Sequence, residues 1–178
     1  MKPLFDYLLL GLLLPAPKSG YDLRKVLQNT ELAQFSDSPG SVYPALRRLE
    51  RAGLIQPSSA GARGRTAYKL SGQGRSALAD WARGRQTEES MRRAPQEFSV
   101  KYAFAEHLLS GSEILAGLDH HLRLLKQQER RLAARIQALP PVAPPSVREV
   151  LEQGLSLHRA RHRWARSVRA RHSEKTES

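Results

Sequence analysis

The sequence predicts a mainly α-helical chain with one small β-hairpin, split into a head over residues 1–90 and a helical, coiled-coil-like region over 96–172. Three observations lead there. Apolar residues recur at helical spacing through most of the chain; the period changes to two only between Leu54 and Leu70; and from Leu115 onward apolar residues fall at alternating three- and four-residue steps.

A chain of 178 residues with 40% hydrophobic and 26% charged side chains can bury a core and is not a disordered polar chain. Its formal charge of +12 points to a polyanionic partner, without choosing between DNA, RNA and an anionic membrane surface. The lack of cysteine excludes disulfides, thiolate metal sites and cysteine nucleophiles, and a cytoplasmic setting is the expectation. Lys2 ahead of the apolar run Tyr7 to Leu14 has the outline of a secretory leader. Asp6 at the edge of that run and the poor cleavage site Pro15-Ala-Pro-Lys18 argue instead for a buried first helix. No stretch approaches the roughly 18 apolar residues of a membrane span, so no membrane is expected as a partner.

The first helix is apolar nearly all round through Leu4, Leu8, Leu9, Leu12 and Leu13, and Pro15 and Pro17 stop it. Ser19 with Asp22 forms a capping box for a second helix that carries Tyr21, Leu23, Val26 and Leu27 and ends near Asn29. Ser38 followed by Pro39 opens a third helix, with Val42, Leu46 and Leu49 inward and Arg47, Arg48 and Arg51 outward, closed by Gly53. Leu54 and Ile55 begin a strand, residues 57–64 make a Gly-rich tip, and Thr66, Tyr68 and Leu70 alternate with Arg65, Ala67 and Lys69 in the returning strand. Ser71 caps a fourth helix whose Ala77, Leu78 and Trp81 can face the core.

Residues 83–95 are polar and read as a helix tail running into a connector. An amphipathic helix then carries Val100, Tyr102, Phe104 and Leu108, and Ser112 is expected to cap the next one. Leu115, Leu118, Leu122, Leu125, Leu132, Ile136 and Leu139 form its heptad seam, with Glu129 in the polar slot. Four prolines between Pro140 and Pro145 break the chain, and Ser146 with Glu149 opens a last helix to about Arg171.

Three short helices and a wing hairpin form a winged helix-turn-helix, whose third helix fits a major groove while the wing lies along the backbone. The polar face of that helix offers Ser38, Ser41, Tyr43, Arg47 and Arg48. Lys18, Ser19 and Tyr21 stand at the start of the second helix, where a phosphate contact is expected, and Arg63 and Arg65 flank Gly64 at the wing tip.

The stretch Ser38-Pro-Gly-Ser-Val-Tyr-Pro-Ala-Leu-Arg-Arg-Leu-Glu-Arg-Ala-Gly-Leu54 follows Leu10-Gly-Leu-Leu and Ser19-Gly-Tyr-Asp-Leu23 and precedes Gly64-Arg-Thr-Ala-Tyr-Lys-Leu-Ser71. These motifs, in this order over the first 80 residues or so, resemble the PadR family of bacterial transcription regulators. The resemblance implies a repressor that binds an inverted-repeat operator in double-stranded DNA as a homodimer and answers to a small-molecule effector. The longer C-terminal half resembles the subgroup with a multi-helix dimerisation region. Ala67 departs from the family pattern, in which an aromatic residue often stands in the second wing strand.

Several features have two readings. Tyr43 either touches DNA or packs against a neighbouring helix, and the arginines of the third helix are DNA contacts or a solvated face. The leucine seam, with Leu157 and Trp164 of the last helix, meets a second copy in the preferred arrangement and the chain's own last helix in the competing one. Trp81 is a core residue or a wall of an effector pocket. His158 and His162 have metal-ligand spacing without an evident third ligand, so no metal is expected. The basic run from Arg159 to Arg171 is a solvated face or a nonspecific attraction for nucleic acid, and a nonspecific RNA- or membrane-surface-binding protein is the alternative function. The chain has no Gly-rich phosphate loop, no nucleophile with a spaced base and no carboxylate pair, so neither an enzyme nor a cofactor is expected.

Overall fold

The computed structural model describes residues 4–29, 39–58 and 66–177. The chain forms two compact units, one of Met1–Gly84 with Ser99–Leu108, the other of Arg85–Phe98 with Leu109–Ser178.

The first unit runs α1 (Leu4–Leu12), β1 (Lys18–Ser19), α2 (Gly20–Gln28), α3 (Pro39–Arg51), β2 (Ile55–Ser58), β3 (Ala67–Leu70) and α4 (Gly72–Arg83). This is the mainly helical head with a small sheet that the periodicity predicts. Its core gathers one face of each helix: Leu8 and Leu9 of α1, Leu23 and Leu27 of α2, Leu46 and Leu49 of α3 and Leu78 of α4 are fully or almost fully buried. Each such side chain contributes about 1.5–3 kcal/mol by leaving water.

The caps explain where the helices begin and end. Ser19 and Asp22 cap each other across the first turn of α2, and Ser71 accepts from Gly74 N at 2.9 Å at the start of α4. After α3, Gly53 turns left-handed at φ 69°, while Leu54 N donates to Leu49 O at 3.0 Å and Gly53 N to Glu50 O at 2.9 Å. That pair of bonds is a Schellman closure, which the chirality of other residues resists.

The wing is a three-stranded antiparallel sheet in the order β1-β3-β2, not a plain hairpin. Lys18 pairs with Tyr68 and Ser19 with Ala67, so the two residues before α2 anchor the wing. The expected alternation in the returning strand is corrected here: Ala67 is buried, covered where Ser19 and Ser58 flank it, and Tyr68 is only half-buried.

Beyond α4, residues 85–95 are more ordered than a connector. Thr87 and Ser90 form a capping box and start α5 (Glu88–Arg93). Next, α6 (Glu97–Ala105) begins in the second unit and continues into the first, where its Phe104 packs against Gly11. A Cβ at position 11 would stand 2.1 Å from Phe104 Cε2, so only glycine admits this approach.

The second unit is built around α7 (Gly111–Gln137) and α8 (Pro145–Glu177), which pack along each other. Ser110, not the expected Ser112, caps α7: its Oγ accepts from Glu113 N at 3.3 Å, and Glu113 Oε2 accepts from Ser110 N at 2.8 Å. Leu118, Leu125 and Ile136 of α7 and Leu155, Ala165 and Val168 of α8 are buried, and Met91 of α5 joins Leu125 and Ala165. Among the described residues no helix is long and apolar enough to cross a membrane.

Candidate nucleic-acid interface

The first unit brings the start of α2, the outer face of α3 and the base of the wing to one place. Tyr21 and Tyr43 are exposed large side chains, and Arg47, one turn after Tyr43 on α3, is exposed as well. Lys18 and Ser41 are half-buried. Ser19, Gly20, Tyr21, Tyr43, Thr66 and Tyr68 line a cleft of about 330 Å³ at this junction. Gly20 is what lets the helices close on it, since a Cβ there would lie 2.6 Å from Tyr43 Cε1. One edge of the Tyr43 ring packs on α2, and the side chain stays 41% exposed.

Three expected contact residues, Ser38, Arg63 and Arg65, lie outside the described residues. Two others are tied up internally. Ser19 is buried and its hydroxyl donates to Asp22 Oδ2 at 2.7 Å while accepting from Asp22 N at 3.2 Å. Arg48 does not point freely outward: its Nε donates to Asp6 Oδ2 at 3.0 Å and its Nη2 reaches Asp6 Oδ1.

Asp6 is the residue that reading the sequence missed. A lone carboxylate in an otherwise apolar, buried helix must find a cation or lose its charge, and that signal was present in the first helix. Tyr68 is the other. Burial, followed by Glu50, pushes its phenol above the usual range.

Trp81 stands in the first unit against Tyr7, the rings stacked with centroids 4.4 Å apart and 5° between planes. Lys101 Nζ lies 5.2 Å from the Trp81 centroid and donates to Gly84 O at 2.6 Å, so the ring face takes part in a packed cation–π contact.

The leucine seam of α7 lies in part against the chain's own α8. Leu118, Leu125 and Ile136 are buried, Leu115, Leu122, Leu132 and Leu139 are half-buried, and Leu132 lies 3.4 Å from the Cβ position of Gly154 in α8. Within the chain, α7 and α8 pack along each other as a hairpin. A regular three-four spacing selects a partner helix without specifying whose it is, and a proline-broken turn supplies one from the same chain. Leu157 and Trp164, by contrast, are exposed on α8, with Trp164 also meeting Phe98 edge-on at 6.2 Å. His162 Nδ1 stands 3.3 Å from Glu129 Oε1, and no group of three ligating side chains among the described residues could hold a metal ion.

A helical head with its third helix exposed beside a small sheet is a winged helix-turn-helix domain. Residues 9–80 match the family model described as "Transcriptional regulator PadR-like family". Similar solved structures include Bacillus subtilis PadR in complex with operator DNA, 25% identical, covering 96% of this chain and 99% of that one with a TM-score of 0.42. The same protein in complex with p-coumaric acid is 25% identical over 96% and 99% of the two chains, TM-score 0.43. A PadR-like regulator of Bacillus cereus is 19% identical over 96% and 98%, TM-score 0.39. No curated protein matches the chain.

Proposed function

We propose that this chain is a DNA-binding repressor that grips an inverted-repeat operator as a homodimer. The observation that carries the reading is the outer face of α3, where Tyr43 and Arg47 stand exposed and Tyr43 shares a cleft with Tyr21. A helix of this kind fits the major groove, and an arginine on it can bond guanine O6 and N7 together. Lys18, Tyr21 and the Tyr68 hydroxyl supply phosphate contacts at the start of α2 and the wing base. Ser38, Ser41, Arg63 and Arg65 belong to the same proposed surface. The charge of +12 gives attraction that does not depend on sequence.

Pairing of two chains is assigned to α8. Val147, Val150, Leu157 and Trp164 are exposed at three- and seven-residue steps along it. In an antiparallel pair centred on Leu157, Val150 of one helix meets Trp164 of the other, and Glu149 and Glu152 fall near the basic stretch from Arg161 to Arg166, with Arg148 opposite Arg166 as the one like-charge pair. Apolar matching sets this register, and the two glutamates offset the basic stretch they face. A small molecule that favours one spacing of the heads over another would release the operator. p-Coumaric acid, the ligand of the Bacillus subtilis relative, is the first compound to try.

Selection from random duplex DNA by the full chain at moderate salt tests the reading. An enriched inverted repeat, protected in footprints of the chain's own promoter region, is the expected result. Binding without enrichment, abolished by neutralising Arg159, Arg163, Arg166 and Arg171, would replace it with a nonspecific polyanion binder.

A further inference from the structure

Arg47 and Arg48 follow each other on α3, yet the structure gives them different surroundings. The Arg48 guanidinium straddles the Asp6 carboxylate, Nε on Oδ2 at 3.0 Å and Nη2 on Oδ1. Asp6 is 1% exposed, while the Arg48 side chain is 49% exposed. The hydrogen bond to Asp6 raises the guanidinium's pKa above its ordinary value, with burial opposing. A two-point contact between a planar fork and a carboxylate defines orientation as well as distance.

The location of Asp6 gives this contact leverage. It lies in α1 next to Leu8, Leu9 and Leu10, all fully buried, so the carboxylate is fixed in the core of the head. Consecutive helix residues are about 100° apart around the axis. A turn of α3 that carried Arg48 off Asp6 would redirect Ser41, Tyr43 and Arg47 with it and would break the contact that satisfies a buried carboxylate, a strongly disfavoured state.

We propose that Arg48 is a positioning residue: its clamp on Asp6 sets the rotation of α3 so that Ser41, Tyr43 and Arg47 face the DNA, and Arg48 itself touches neither base nor phosphate. The inference rests on the reading of α3 as the DNA-binding helix. It divides the arginine pair into one that reads and one that holds.

The test compares wild type, Asp6→Asn, Arg48→Met and the Asp6→Asn/Arg48→Met double variant on two duplexes of equal length, the one enriched by wild-type selection and a scrambled one. Asp6→Asn adds one positive charge, so simple attraction would tighten binding. The expected result is the opposite on the selected duplex, a loss of about tenfold, with the scrambled duplex bound as well as before or better. Arg48→Met alone strands a buried carboxylate and can unfold the head, so the double variant is decisive. It should bind no more weakly than Asp6→Asn and keep the wild-type slope of log affinity against log salt. An Asp6→Asn variant that binds the selected duplex as tightly as wild type would overturn the inference, as would a double variant whose slope falls by about one. A wild type that enriches no duplex overturns the DNA-reading proposal and this one with it; the other two failures leave the DNA-reading proposal standing.

Discussion

The imidazole of His121 lies flat against the ring of Phe98, with 3.8 Å between centroids and 4° between planes. Its Nδ1 donates to Gln86 Oε1 at 3.1 Å, since an amide oxygen can only accept. Burial above all, then Arg161, His120 and His162, lowers its pKa from 6.5 to about 3.

Acid should therefore loosen the second unit. Because the folded value lies below the unfolded one, the native state binds fewer protons, and stability rises with pH between about 3 and 6.5. His121 contributes fully above 6.5, and its contribution falls away below that, by at most about 1.4 kcal/mol per pH unit. His158 is shifted the same way, mainly by burial. Thermal melts of wild type should drop in Tm from pH 6.5 to 4, and His121→Phe, which keeps the stack but cannot protonate, should drop less. Parallel curves for the two proteins would refute the assignment.

Replacing Gly74 by alanine should destabilise the head by about 1–3 kcal/mol, because the added carbon would fall 2.0 Å from the Leu54 carbonyl oxygen. That oxygen also accepts from Ser71 N at 3.0 Å, so the backbone has little room to retreat. At Gly72 a Cβ meets nothing within 4 Å, and alanine there should stay within about 0.5 kcal/mol of wild type. Urea unfolding of both variants measures the contrast.

Two serines near the start of α7 separate a cap from a bystander. Ser110→Ala removes the acceptor for Glu113 N and should cost about 1 kcal/mol. Ser112 follows the cap inside the first turn and is exposed, so Ser112→Ala should be nearly neutral. Equal losses in denaturant melts would show that the cap is shared.

Leu157→Glu places a charge on the proposed pairing stripe, where Leu157 is 54% exposed, without touching the α7·α8 seam. Sedimentation should show a monomer with unchanged helicity. Leu125→Ala, inside the hairpin, should instead lower stability by about 2–5 kcal/mol. A Leu157→Glu protein that remains a dimer would move the interface elsewhere.

Much of this architecture was readable from residue patterns. The capping box at Ser19, the left-handed stop at Gly53 and the period change after it are local signals, governed by backbone geometry that no distant contact overrides. The third strand was not readable, because two residues, Lys18 and Ser19, carry no period. The Asp6–Arg48 clamp spans 42 positions, and a pattern along the chain cannot say which cation a buried carboxylate will meet. The leucine seam of α7 announced a partner helix, and α8 of the same chain packs along it; spacing alone is the same for an intrachain and an interchain seam. Of the proposed DNA surface, Tyr21, Tyr43 and Arg47 are exposed as the pattern suggested, while Ser19 and Arg48 are occupied by Asp22 and Asp6.

The outer face of α3 is tested most directly by binding of Arg47→Met to the selected operator and to scrambled DNA at several salt concentrations. A base-reading Arg47 requires a loss of about 1–3 kcal/mol on the operator, relaxed preference at one base position in each half-site, and only a small change on scrambled DNA. An equal, salt-dependent loss on both duplexes would mean that Arg47 meets phosphate alone and that α3 does not read the sequence.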